Sequence, residues 1–142
     1  MIRYRKVHSD DIPVLAKIRA AEWETQSYWM RRISGYLSGE LNPHQALPPR
    51  MLFVAVDKEA IIGFIAGNLT QRLQCEGELE WLNVIPGYRG QGVATELVKQ
   101  LFQWFIEQKA YKICVNGSGA FYEKNGAVAI NEHWMIWDDI RQ

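Results

Sequence analysis

Apolar positions change their period several times along this chain, and each change marks a new element. Ile2, Tyr4 and Val7 stand in a short, largely alternating segment, the pattern of an edge or half-buried strand. From Ile12 the spacing lengthens, and Ile12, Leu15, Ile18 and the Glu22-Trp23 pair recur at helical intervals. Ser9 or Asp10 is placed to cap this helix, Asp11 suits its positive end, and Pro13 fits only a first turn. Trp29, Ile33, Tyr36 and Leu37 share the face of a second helix over residues 27–37. Gly39, Asn42, Pro43, Pro48 and Pro49 then break regular structure, so residues 38–50 read as a loop.

Residues 51–56 form a continuous apolar strand, and Asp57-Lys58-Glu59 turns it back into a second strand over 61–70. Gly63 and Gly67 inside that strand point to a bulge or a close neighbour. Residues 71–77 are polar and loop-like, and 78–85 read as the next strand. Over 91–108, Ala94, Leu97, Val98, Leu101, Phe102 and Phe105 recur at three and four, a strong helical signal. A short buried strand at 111–115, a short helix within 117–124, a stop at Asn125-Gly126 and a final strand over 127–137 complete the chain. The order is β-α-α-β-β-β-α-β-α-β. It predicts an α/β (α+β) fold with a mixed, largely antiparallel sheet flanked by helices, not a doubly wound nucleotide fold.

Composition changes this picture only by exclusion. The 142 residues suit one domain, and the apolar share of 48% and charged share of 23% are those of an ordinary globular protein. Sixteen basic residues balance sixteen acidic ones, so overall charge makes no case for nucleic acid or an anionic membrane. No apolar run approaches the roughly 20 residues that span a bilayer. The basic start, Met1 to Lys6, lacks the apolar core of a secretory signal. Cys75 and Cys114 are too few and too far apart for a disulfide or metal framework, which predicts reduced thiols and a cytoplasmic location. His8, His44 and His133 have no metal-ligand spacing, so no metal is expected.

The chemistry concentrates in Val84-Ile85-Pro86-Gly87-Tyr88-Arg89-Gly90-Gln91-Gly92-Val93-Ala94, a strand end, a glycine turn and a helix start. Gly90 and Gly92 allow close backbone approach, and the first N–H groups of the helix are free to meet an anion. Arg89 adds a positive charge, so a phosphate or pyrophosphate is the implied ligand. Gly87 and Gly92 have the gap of a P-loop, but Val93-Ala94 follow where a lysine and a hydroxyl are required. Gly90-Gln91-Gly92-Val93-Ala94-Thr95 lacks the third glycine of a dinucleotide fingerprint and lies late in the chain.

Arg89-Gly90-Gln91-Gly92-Val93-Ala94 resembles the [R/Q]-x-x-G-x-[G/A] signature of the GNAT superfamily of N-acetyltransferases. Leu82-Asn83-Val84-Ile85-Pro86 is similar to its L-x-V-x-P strand ending, and Phe121-Tyr122-Glu123-Lys124-Asn125-Gly126 resembles its F-Y-E-K-x-G segment. The element order extends the likeness over the whole chain. The resemblance implies acetyl-CoA, or a related acyl-CoA, as donor and an amine-bearing small molecule or peptide as acceptor, in a monomer or homodimer. The N–H groups of Gly90, Gln91, Gly92, Val93 and Ala94, with Arg89, would hold the pyrophosphate. Leu82, Asn83 and Val84 would pair their backbone with the pantetheine arm, in a gap where this strand splays from 111–115.

Direct transfer needs a neutral amine, a stabilised oxyanion and a proton for the leaving thiolate. By resemblance Tyr122, whose phenol has a reference pKa of about 10, would give that proton. Asn116 resembles the asparagine that contacts pantetheine, although it stands six residues before Tyr122, one short of the commonest spacing. Ser118 could take over part of that contact. Glu78 and Glu80 fall on one face of the strand leading to the cofactor, since strand side chains alternate, and either could serve as base. Cys114 has no identifiable base and reads as a structural thiol. Of the six tryptophans most are expected in the core, with some lining the acceptor pocket beside Tyr28 and Tyr36. Ala127 stands where the family shows a bulky aromatic, which suggests an altered pocket or a repacked core. A non-catalytic acyl-CoA-binding module of the same fold would share every cofactor feature.

Overall fold

The computed structural model describes residues 1–40, 47–117 and 119–141. Along the chain lie β1 (Arg3–Lys6), α1 (Ile12–Ala20), α2 (Gln26–Ser38), β2 (Leu47–Asp57), β3 (Ala60–Leu69), β4 (Gly77–Val84), α3 (Val93–Glu107), β5 (Ile113–Asn116), α4 (Ala120–Lys124), β6 (Val128–Ala129) and β7 (Trp134–Trp137). The strands make one sheet in the order β1-β2-β3-β4-β5-β7-β6. Every pairing is antiparallel except that of β4 with β5. The expected mixed sheet is therefore present, with seven strands among the described residues. No helix among them is long and apolar enough to cross a membrane.

Helices cover both faces. Leu97, Leu101 and Phe105 of α3 are fully buried in a cluster with Ile65, Leu79 and Ile113. Burying each such side chain stabilises by about 1.5–3 kcal/mol, which fixes α3 against the sheet. On the opposite face Leu15 of α1 and Ile33 and Tyr36 of α2 pack on Leu52, Phe64 and Trp81. Tyr36 is wholly buried, and its hydroxyl donates to Asn68 Oδ1 at 2.7 Å. Tyr28 packs edge-on against Trp29. Tyr36 therefore belongs to the core and not to the acceptor pocket expected of it.

Local chemistry explains where boundaries differ from the periodic pattern. Neither Ser9 nor Asp10 caps α1. Asp11 accepts the His8 N–H at 2.7 Å and a two-pronged contact from Arg5 at 2.8 and 3.1 Å, which holds its carboxyl below the usual range. Thr25 caps α2 by accepting the Tyr28 N–H, and that helix starts one residue early. The strand β2 starts at Leu47, four residues before expected. Pro48 and Pro49 lack ladder donors, and the register skips between Leu47 and Arg50 to leave them out. The expected last strand is a hairpin of β6 and β7, because Asn131 Oδ1 accepts the His133 and Trp134 N–H groups and turns the chain. His44 and Ser118 lie outside the described residues.

The two strand glycines both mark close neighbours, and each adjoins a register shift, Gly63 the one that leaves Ile62 extra in β3. Between Ala66 and Gly67 the register steps from Trp81 to Leu79, so Glu80 is an extra residue in β4. At Gly63 an added Cβ would stand 2.8 Å from the Asn83 carbonyl oxygen and 3.4 Å from the Val84 Cα. Backbone at that distance cannot step aside cheaply. Gly63→Ala should cost about 1–3 kcal/mol by overpacking, outweighing the roughly 0.4–1 kcal/mol gained by restricting the unfolded chain. A lower urea midpoint is the expected outcome; an unchanged or higher one contradicts the close approach of β3 and β4.

Candidate active site

The glycine turn delivers the N-terminus of α3 to a cavity of about 470 Å³. Gly90 and Gly92 have φ of +78° and +84°, a region that excludes most side chains, and Gly92 caps the helix. A Cβ at either would meet no atom within 4 Å, so both face open space. The first helical bond runs from the Glu96 N–H to the Gly92 carbonyl at 3.1 Å. The N–H groups ahead of it have no intrahelical partner, and the helix end is positive. These features fit a pyrophosphate. Gln91 Nε2 donates to the Gly87 carbonyl at 3.2 Å and closes the turn. The Arg89 guanidinium is already engaged: Nε donates to the Val84 carbonyl at 2.8 Å and Nη2 to Glu22 at 3.2 Å. Phe121, Lys124 and Asn125 close the cavity from α4, so Lys124 brings a second cation to it.

From this turn a slot leads into the sheet. The parallel ladder pairs Gly77, Glu78 and Leu79 with Ile113, Cys114 and Val115, and then stops. Beyond it β4 remains paired with β3 alone through Val84. The Ile85 N–H donates to the Ile62 carbonyl, so strand alternation turns the Asn83 backbone toward β3 also. The backbone groups of Leu82 and Val84 therefore face the slot, where Arg89 already takes the Val84 carbonyl. Asn83 uses its side chain instead: Oδ1 accepts from Arg19 Nη1 at 2.9 Å. Asn116 ends β5 on the far side of the slot.

A second cavity, of about 450 Å³, opens between β4, the β5 end and the two N-terminal helices. Tyr122, Asn116, Glu78 and Glu80 all line it. Tyr122 leans on the Trp137 ring at 5.9 Å, and burial raises its phenol pKa, keeping it protonated. Ala127 is buried, and the Trp137 ring stands beside Tyr122. Glu78 accepts from Arg72 Nε at 3.1 Å, and Glu80 lies 3.9 Å from Arg32. Burial raises both carboxyls, and the neighbouring Glu78 charge raises Glu80 further. Trp23 and Trp134 also line the cavity, whereas Trp29 is buried beneath it. Cys114 is fully buried and its thiol is pushed far up, which suits a structural role.

A sequence model described as the Acetyltransferase (GNAT) family matches residues 14–127, most of the chain. The chain belongs to the GNAT acetyltransferase family. Its fold is shared by solved structures from several organisms. PaiA N-acetyltransferase from Thermoplasma acidophilum in complex with coenzyme A is 16% identical with a TM-score of 0.71, over 97% of this chain and 99% of that one. A predicted acetyltransferase with acetyl-CoA from Clostridium acetobutylicum is 22% identical (TM-score 0.70), over 93% of each chain. A GNAT family acetyltransferase from Brucella melitensis in complex with acetyl-CoA is 17% identical (TM-score 0.72), over all of this chain and 92% of that one. No curated protein matches the sequence significantly.

Sequence reasoning missed Arg19, Arg32 and Arg72, which reach the second cavity from three separate segments of this GNAT chain. Single arginines on helices and loops carry no local signal. Lys124 was visible within the F-Y-E-K-x-G segment but drew no role. The raised Glu78 and Glu80 values have a fixed sign for stability. The contribution of their protonated forms is complete below about pH 4.3 and is lost as pH rises through the folded values. Carboxyl-carbon NMR, assigned with Glu78→Gln and Glu80→Gln, should place both midpoints above the ordinary glutamate range. Midpoints at or below about 4.3 would contradict the burial argument.

Proposed function

We propose that residues 1–142 form a single N-acetyltransferase domain that moves the acetyl group of acetyl-CoA to a primary amine by direct attack, with both substrates bound together. The observation that carries this reading is the unpaired stretch of β4. It runs from the glycine turn to the cavity holding Tyr122, Glu78 and Glu80. Acetyl-CoA, when bound, supplies an activated acetyl thioester. The family membership and the CoA complexes among the structural neighbours support that donor.

The chain's own groups bind, orient and move protons. The N–H groups of Gly90, Gln91, Gly92, Val93 and Ala94 would hold the pyrophosphate, with the Lys124 ammonium beside them. Arg89 contributes through Nη1, the guanidinium nitrogen bonded to neither Val84 nor Glu22. The Leu82 N–H and C=O and the Val84 N–H would pair with the amide-bearing arm as an added strand, leaving Asn83 to fix Arg19. Asn116 would contact the same arm from β5. Glu80, backed by Glu78, accepts the amine proton directly or through water; its raised pKa brings it nearer the pKa of an amine than an ordinary glutamate. The Tyr122 hydroxyl, held protonated by burial, gives a proton to the departing thiolate.

Tyr122→Phe keeps the ring and its packing and removes only that proton. It should lower kcat by about 10²-fold or more while leaving acetyl-CoA affinity in place, measured by CoA release and by calorimetry. An unchanged kcat would remove Tyr122 from the reaction. Acetyl-CoA binding with no CoA release from any amine by the parent protein would identify a non-catalytic acyl-CoA-binding module instead.

A further inference from the structure

The cavity that holds Glu78 and Glu80 carries more positive than negative charge. Three arginines line it against two glutamates. Arg72 is bonded to Glu78 at 3.1 Å, and Arg32 approaches Glu80 at 3.9 Å. Arg19 meets no carboxylate of the cavity in a hydrogen bond. Its one hydrogen bond among the described residues goes to the neutral Asn83 amide, and its guanidinium lies over the Trp29 ring at 4.3 Å. Glu22, one turn along, is taken by Arg89. The Nε groups of Arg19 and Arg32 are buried without a hydrogen-bond partner.

Desolvating a cation against tryptophan rings is unfavourable unless an anion or the ring faces offset it. The excess grows further when the two raised glutamates share a proton. An acceptor bearing ammonium groups and no anion would meet net repulsion here. An anionic group would gain charge-assisted hydrogen bonds from a planar, pre-organised guanidinium. The volume of about 450 Å³ suits a small molecule.

Resting on the transferase reading above, we propose that the acceptor is a small amino-carboxylic acid, its carboxylate held by Arg19 with Arg32 and its amine turned to Glu78 and Glu80. The transferred acetyl then forms an amide with that amine. The amine proton leaves to the glutamate side, and the thiolate takes its proton from Tyr122. The product is an N-acetyl amino acid and free CoA.

Matched acceptors isolate the carboxylate. CoA release would be compared for L-phenylalanine and phenethylamine, L-tryptophan and tryptamine, and L-lysine and cadaverine, with β-alanine against phosphoethanolamine to separate carboxylate from phosphate. The expected result is a kcat/KM at least about tenfold higher for the acids than for their decarboxylated partners. Arg19→Gln should collapse that ratio, and Arg19→Lys should restore part of it. A ratio is insensitive to a general loss of activity. Equal or better turnover of the amines, a ratio unmoved by Arg19→Gln, or a preference for phosphoethanolamine would each overturn the proposal while leaving the transferase standing. Where no acceptor releases CoA, thermal shifts of the CoA-bound protein with the same pairs decide. Stabilisation by the acids alone supports the carboxylate site although the transferase reading has failed; no selectivity overturns both.

Discussion

The parting of β4 from β5 after Leu79 and Val115 is the constraint on which the rest of the site depends. A strand inside a sheet normally satisfies both edges, and an unpaired edge there leaves backbone donors and acceptors seeking partners. The chain meets that demand only in part, through Arg89 on the Val84 carbonyl. What remains is a row of backbone groups at Leu82 and Val84 facing an opening that begins at a helix N-terminus. Such a row recognises an amide-bearing chain without any special side chain.

The bulge at Glu80 gives this edge its two faces. Leu79 and Leu82 both pack toward α3, while Trp81 and Asn83 face α1 and α2. Glu78 and Glu80 share the side on which Arg32 and Arg72 stand, and the bulge puts Trp81 there with them while Leu82 turns to α3. Asn83 couples the faces: its backbone completes the β3 ladder and its side chain fixes Arg19. Arg5 and His8 hold the Asp11 carboxylate in the short turn that leads into α1, whose last turn carries Arg19.

Much of this was legible in the sequence. The α3 periodicity, the glycine turn and the tyrosine segment are local patterns, and each lies where local physics placed it. Gly67 signalled a bulge or a close neighbour, but the residue of β4 that the bulge frees was not legible: strict alternation would put Glu78, Glu80 and Leu82 on one face, and only pairing with β3 reveals Glu80 as the extra residue. Pro48 and Pro49 signalled a break and hid a strand that continues past them. The arginines of the second cavity come together only through the packing of α1, α2 and the segment before β4. The resemblance puts Tyr36 on the acceptor side, whereas the structure buries it wholly in the core against the sheet.

We propose the slot-facing backbone of β4 as the seat of the acyl-CoA arm. Residue-resolved amide hydrogen exchange, with and without coenzyme A, tests it most directly. Bound ligand should slow exchange at Leu82 and Val84 and at the turn around Gly92, while Asn83, already bonded to β3, changes little. Binding of coenzyme A with no added protection at Leu82 and Val84 would contradict the account.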